Sequence, residues 1–284
     1  ELTWIRYPIL DIIIRREGEF VKSKFIEKFM KNVFLISATM SIVAIILICI
    51  FIFAGGVPFI KEYGLSKFLF GAQWKPSNSP ASYGILPMVL GSFAVTIGAI
   101  TLGVPVGVMT ATYLAKFSNQ KLYRFLKPCI NLMAGIPSII YGFFALTVIV
   151  PIIRALVGGT GMNIITASIL LGIMILPTII SLSEAAIRAV PESYYEGSIA
   201  LGASHERAIL SVTIPAAKPG ILSSVILGIG RAIGETMAVI LVAGNQARMP
   251  AGLTKGVRTL TTNIVIEMAY AADTHRDALI ATAV

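Results

Sequence analysis

Asn32 to Phe53 reads NVFLISATMSIVAIILICIFIF, an unbroken apolar stretch without one charged side chain. A helix rises about 1.5 Å per residue, so about 20 such residues cross the roughly 30 Å hydrocarbon core of a bilayer. Four more predominantly apolar runs follow, at about Tyr83–Leu114, Pro128–Val150, Asn163–Ile187 and Ala217–Ala243. The second is long, and Pro105 is expected to interrupt it. Backbone polar groups in lipid must be satisfied within their own segment, so these runs predict helices. The fold class is an all-α membrane bundle.

Composition agrees. Only 13% of the 284 residues are charged, against roughly 25% in soluble domains. The net charge of +9 is therefore read against lipid headgroups and not nucleic acid, for which no motif is present. Cys49 and Cys129 lie in or beside apolar runs and form no CxxC pair. His205 and His275 have no partner at ligand spacing, so neither a metal nor a cofactor is expected. The first run is too long for a cleaved signal peptide, and no small-residue cleavage site follows it.

The chain opens on Glu1, and the mixed stretch ELTWIRYPILDIIIRREGEF reads as an amphipathic lead-in. Residues 1–31 are expected to form a cytoplasmic segment and 32–284 the membrane domain. The tail TTNIVIEMAYAADTHRDALIATAV carries Glu267, Asp273, His275, Arg276 and Asp277, too many ionisable groups for a lipid-facing helix. Thr259–Ala272 is expected as a short extracytoplasmic helix. A sixth span is expected to start near Arg276 and to be cut off at Val284, after at most its first two turns. Lys and Arg in the loops set orientation. Fourteen lie on the side of the N-terminus and seven on the other, which places the N-terminus in the cytoplasm.

On that same side lies the polar segment ESYYEGSIALGASHERAILSVTIPAAKPG, Glu192–Gly220. Ser193 and Glu196 have capping-box spacing, Gly202 is a helix stop, and a second short helix is expected from Ser204 to just before Pro215. Tyr195 and Ile199 share one face at i, i+4. Glu196-Gly197-Ser198, then Gly202, then Val212-x-Ile214-Pro215 resembles the EAA loop of ABC importer permeases, E-A-A, three residues, G, nine residues, I-x-L-P. That resemblance implies a type I importer permease bundle of about six helices. It makes the segment, at 188–216, a coupling helix that docks on a cytoplasmic ATPase, with Tyr195, Glu196, Ile199, Leu201, Gly202, Ser204 and Pro215 at the contact. The chain itself has no Gly-Lys dipeptide, hence no phosphate loop, and ATP hydrolysis falls to a partner. The glycines of GIGRAIG (Gly228–Gly234) and of Gly103-x-x-x-Gly107 are read as close helix contacts.

The fifth run holds GRAIGETMAVILVAGN, with Arg231 and Glu235 near its centre, on one helix face at i, i+4. An unpaired charge there costs about 2.5–3.5 kcal/mol on insertion scales, which marks a functional site. A guanidinium suits an oxyanion, and a nearby carboxylate keeps the well shallow enough for release. The bland alternative is a self-neutralising pair that only holds the helix in the bundle. The stretch resembles the PstC-type permeases of phosphate-specific (Pst) ABC importers. YGILPMVLGSFAVTIGAITLGVPVGVMTATYLAKF and AGIPSIIYGFFAL resemble them too. The resemblance implies phosphate translocation past Arg231, Glu235 and Thr236. It further implies a second Pst-type permease subunit, two ATPase copies and an extracytoplasmic phosphate-binding protein. Asn245, Arg248, Lys255 and Arg258 of the last loop are either contacts for that protein or a solvated loop. A sulfate or molybdate permease is the runner-up, and a membrane receptor or sensor subunit the reading from another class. No Ser/His, paired Asp or His-rich cluster points to a membrane enzyme.

Overall fold

The structure, a computed structural model, describes residues 8–284, with side chains described from Ile26 on. Residues 1–7 of the expected cytoplasmic lead-in lie outside the described residues. The chain divides into two units, Glu1–Gly55 and Gly56–Val284.

Helix α1 (Pro8–Tyr63) contains the first apolar run, and its apolar side chains from Phe34 to Phe53 are largely exposed, as a lipid-facing helix requires. Within Gly56–Val284, a short helix α2 (Leu65–Phe70) leads to a hairpin of β1 (Trp74–Lys75) and β2 (Ser82–Tyr83), paired antiparallel. Three long helices follow at α3 (Leu86–Phe117), α5 (Ser138–Val157) and α6 (Ile164–Arg188), with α4 (Gln120–Gly135) between the first two. Helix α7 (Glu192–Ala200) precedes the long α8 (His205–Gly234). Short helices α9 (Met237–Val242), α10 (Leu260–Met268) and α11 (Asp273–Ala283) complete the chain.

Helix α6 is the centre. Asn163 starts it, accepting from the Thr166 amide at 3.0 Å, and Leu170, Leu171, Met174, Ile175 and Ile179 are fully enclosed. It packs chiefly on α3 and α8. A Cβ on Gly103 would stand 2.7 Å from Ile175 Cδ1 and 2.9 Å from the Gly172 carbonyl, so only glycine permits this approach. Gly107 meets Ile179 in the same way. Gly103→Val is therefore expected to lower stability by about 1–3 kcal/mol through overpacking. A thermal melt of the purified protein in detergent, against the native chain, checks it. Of the GIGRAIG glycines only Gly228 closes a contact, against Ile179, while Gly230 and Gly234 face open space. Ser183 and Ser224 join α6 to α8 by a buried hydrogen bond of 2.6 Å.

Three expectations need correction. Helix α3 runs through Pro105 without interruption. The run Pro128–Val150 is two elements, because the chain turns extended at Ile136 and Pro137 between α4 and α5. Pro137 disfavours helix at the residue before it, and α4 is amphipathic where a lipid-embedded helix would be apolar all round. The run Ala217–Ala243 also breaks, at Glu235 and Thr236.

Candidate functional site

The break in the fifth run is the first site. Helix α8 ends at Gly234, Glu235 is extended (φ −71°, ψ 128°), and α9 starts at Met237. The Glu235 carboxylate accepts from the Ala238 amide at 3.1 Å and so caps α9. Glu235 therefore does not share a helix face with Arg231, and among the described residues the two form no ion pair. The physical reason is the end of α8. Gly234 is a poor helix former, and a carboxylate is more stable on the amides of a new helix than in the middle of an old one. Arg231 sits half-buried in the last turn of α8, where the helix dipole favours a cation. On α5, the Tyr141 hydroxyl donates to the Met133 carbonyl at 2.8 Å. Thr236 donates to the Gly234 carbonyl at 3.3 Å.

Neighbouring elements pack against the break from two sides. Gly142 of α5 lets α9 approach, since a Cβ there would lie 2.8 Å from Ala238 Cα. The first turn of α10 lies over the break, where Thr261 donates to the Glu235 carbonyl at 3.3 Å. Two half-helices that meet at unwound backbone, with a cation beside the gap, are a recurrent way to handle ions inside a membrane protein.

Beside it lies a charge cluster that the sequence did not reveal. Glu267 of α10 is buried and accepts from Arg258, from Trp74 Nε1 at 2.8 Å and pairs with His275 Nε2 at 2.9 Å. Arg258 also donates to the Asn245 carbonyl and to Asn263 Oδ1. Of the four residues expected in the last loop, Asn245 and Arg258 are thus parts of the fold, while Arg248 and Lys255 are exposed. Burial, then the neighbouring Tyr63, pushes the Tyr83 phenol in this aromatic cluster above its ordinary range. Glu267→Ala strips three donors of their shared acceptor and is expected to cost about 3–5 kcal/mol. Thermal unfolding checks it, with Glu267→Gln, which keeps two hydrogen-bonding atoms, losing less.

The second site is the elbow formed by α7 and the start of α8. Pro191 and not Ser193 precedes the helix, and Ser193 falls inside its first turn, so the expected capping box does not form. Gly202 does stop the helix. At φ +86° it sends its amide to the Ile199 carbonyl at 2.8 Å, and the Ala203 amide reaches the Ser198 carbonyl at 3.1 Å. These are the two bonds of a Schellman cap, and a Cβ would strain the left-handed backbone they need. Ser204 caps α8 through the Arg207 amide. The second short helix does not end before Pro215. Wider π turns over Ile209–Thr213 carry it past the proline's missing N–H into the long helix.

Helix α7 buries none of its residues. Ile199 and Leu201 face outward, with Leu201 92% exposed, and Glu196 is exposed beside them. Tyr194, which sequence reading passed over, is exposed as well. Tyr195, one turn before Ile199, is half-buried, its hydroxyl 2.9 Å from the exposed His205 Nδ1 and its ring edge-on to the imidazole.

A family model described as the binding-protein-dependent transport system inner membrane component matches residues 103–274, a range that takes in both the elbow and the break. The chain belongs to this family. Curated relatives agree over most of its length. The probable ABC transporter permease protein YqgH of Bacillus subtilis is 39% identical over 236 residues, 82% of this chain and 76% of that protein. The phosphate transport system permease protein PstC of Mesorhizobium japonicum is 31% identical over 255 residues, 82% of this chain and 77% of that protein. Among solved structures, the alginate ABC transporter in complex with its alginate pentasaccharide-bound periplasmic protein aligns with a TM-score of 0.58 at 18% identity, covering 90% of this chain and 89% of that one. The inward-facing MetNI methionine ABC transporter aligns at 0.50 and 24% identity, over 69% of this chain and 85% of that one. At such identities the likeness shows the fold, that of type I ABC importer permeases. The permease is a multi-pass inner membrane component of a transporter.

Proposed function

We propose that this permease forms half of the translocation pathway for inorganic phosphate in an ATP-driven importer, with its N-terminus in the cytoplasm. The observation that carries the reading is the break at Glu235–Thr236 with Arg231 one turn before it. A permanently charged, planar donor at an unwound point of a membrane helix matches a tetrahedral oxyanion. The names of its PstC relatives support phosphate over other oxyanions. The loop charges, fourteen basic residues on the elbow side against seven, support the orientation.

In this reading Arg231 holds a phosphate oxygen, Thr236 offers a hydroxyl at the gap, and Glu235 limits the depth of the well. The exposed Ile199 and Leu201 fit a groove on a cytoplasmic ATPase, of which two copies serve the importer. The rigid Gly202 cap transmits the ATPase's closure to α8 through the continuous helix that follows. A second Pst-type permease supplies the other half of the pathway, and an extracytoplasmic phosphate-binding protein delivers to the far end, where Arg248 and Lys255 are exposed. The test is uptake into vesicles holding the assembled complex, with labelled phosphate and labelled sulfate compared side by side. Phosphate uptake that excess sulfate does not suppress is expected. Equal uptake of both, or sulfate alone, contradicts the substrate.

A further inference from the structure

At the elbow end of the bundle, a cavity of about 320 Å³ opens between the end of α3, the start of α4 and the end of α6. Its polar lining is Lys116, Ser118, Gln120, Tyr123 and Arg188. Two cations meet there. Arg188 is fixed by Glu184 Oε1 at 2.8 Å, by the Leu114 carbonyl at 2.8 Å and by the Tyr123 ring 4.7 Å below it. Those contacts use its Nε and one N–H side of the fork, which leaves donors on Nη1 free. Lys116 is 15% exposed, lies 5.8 Å over the Tyr195 ring and makes one ion pair of 3.3 Å, to the exposed Glu192 that begins α7.

The charge balance is positive. The buried Glu184 is shared between Lys127 at 2.7 Å and Arg188. Counting Lys116 with Glu192, the five groups keep one positive charge, and Lys121 and Arg124 add two more on the exposed side of α4. Apolar side chains flank this rim. Phe125 is 67% exposed on α4, and Phe117 is partly exposed at the end of α3. Basic clefts between helices at the cytoplasmic surface, edged by apolar rings, are suited to anionic lipid headgroups.

We propose that this cavity binds a phosphate-type oxyanion, the headgroup phosphate of an anionic phospholipid of the cytoplasmic leaflet, at a site separate from the pathway at Arg231. The leaflet assignment rests on the orientation proposed above; the cation pair and the cavity do not. A headgroup phosphate between Lys116 and Arg188 competes with Glu192 for Lys116. Occupancy then frees the first turn of α7 and ties the elbow's mobility to the charge of the surrounding membrane.

The test uses the complete transport complex in detergent, where orientation in a membrane does not enter and the ATPase is present in every sample. Native mass spectrometry counts the phosphatidylglycerol or phosphatidylcholine retained by the permease, with and without millimolar inorganic phosphate. Preferential retention of phosphatidylglycerol is expected. It should fall about fivefold in Lys116→Gln, the weight of one lysine at an anionic surface. Lys218→Gln, which removes the same charge elsewhere at this end, should retain it. Inorganic phosphate that displaces the lipid, or binds in its place with the same Lys116 dependence, keeps the oxyanion site and names free phosphate as its source. Equal retention of both lipids with no phosphate effect, or retention that Lys116→Gln leaves unchanged, overturns the proposal.

Discussion

Arg231→Ala is expected to lower phosphate uptake by about 100-fold while the variant still reaches the membrane and still holds its ATPase. The size follows from two charge-assisted hydrogen bonds to an oxyanion, together about 3 kcal/mol. Insertion is spared because the substitution makes α8 more apolar, not less. Docking is spared because the exposed face of α7 belongs to a different segment, Glu192–Ala200. Arg231→Lys should recover only part of the rate, since an ammonium keeps the charge and loses the planar fork. Glu235→Gln separates two roles. The amide oxygen can still accept from Ala238, so the cap on α9 largely survives, while the negative charge is gone. If the carboxylate limits the depth of the well, this variant retains phosphate longer and turns over more slowly. Labelled-phosphate uptake and single-turnover release measure the two effects.

Leu201→Asp is expected to separate the permease from its ATPase. Leu201 is 92% exposed next to a rigid cap, and in the proposed docking it is the apolar anchor. Loss of a central apolar anchor costs about 2 kcal/mol or more, roughly 30-fold in affinity, and a buried carboxylate adds its desolvation. Co-purification of the ATPase measures it, with Ile199→Asp as a second probe of the same face. Tyr195→Phe should keep the ATPase and lose only the hydrogen bond to His205, because the ring stays in place and only that hydroxyl is removed. Normal co-purification with Leu201→Asp, together with full uptake, would remove α7 from the coupling role.

Much of this architecture is legible in the residues. Span length and apolar content locate α1, α3 and α6, and Asn163 marks the start of α6 to the residue because its side chain is the cap. Gly202 is readable for the same reason, a local conformation that demands one residue type. Reading fails where apolar content hides a change of element. The end of α4 and the start of α5 form one apolar stretch, and only Pro137 signals the turn. The fifth run hides its break likewise, because apolar residues resume after Thr236 and Gly234 is not distinguished from Gly228 and Gly230, which lie inside unbroken helix. Charge clusters fail differently. Glu267 and Trp74, or Glu184 and Lys127, are far apart in the chain, and nothing in either local pattern says that they meet. Arg231 and Glu235 show the converse, since sequence spacing implies a contact that the end of a helix undoes.

The break at Glu235–Thr236 is the centre of the account, and one double variant tests it most directly. Arg231→Ala with Glu235→Ala removes both charges, so a pair kept only for neutrality would be dispensable together. Labelled-phosphate uptake by this variant in the assembled complex is expected to stay at the background of vesicles without permease. Uptake near the native rate would contradict the assignment of phosphate binding to Arg231.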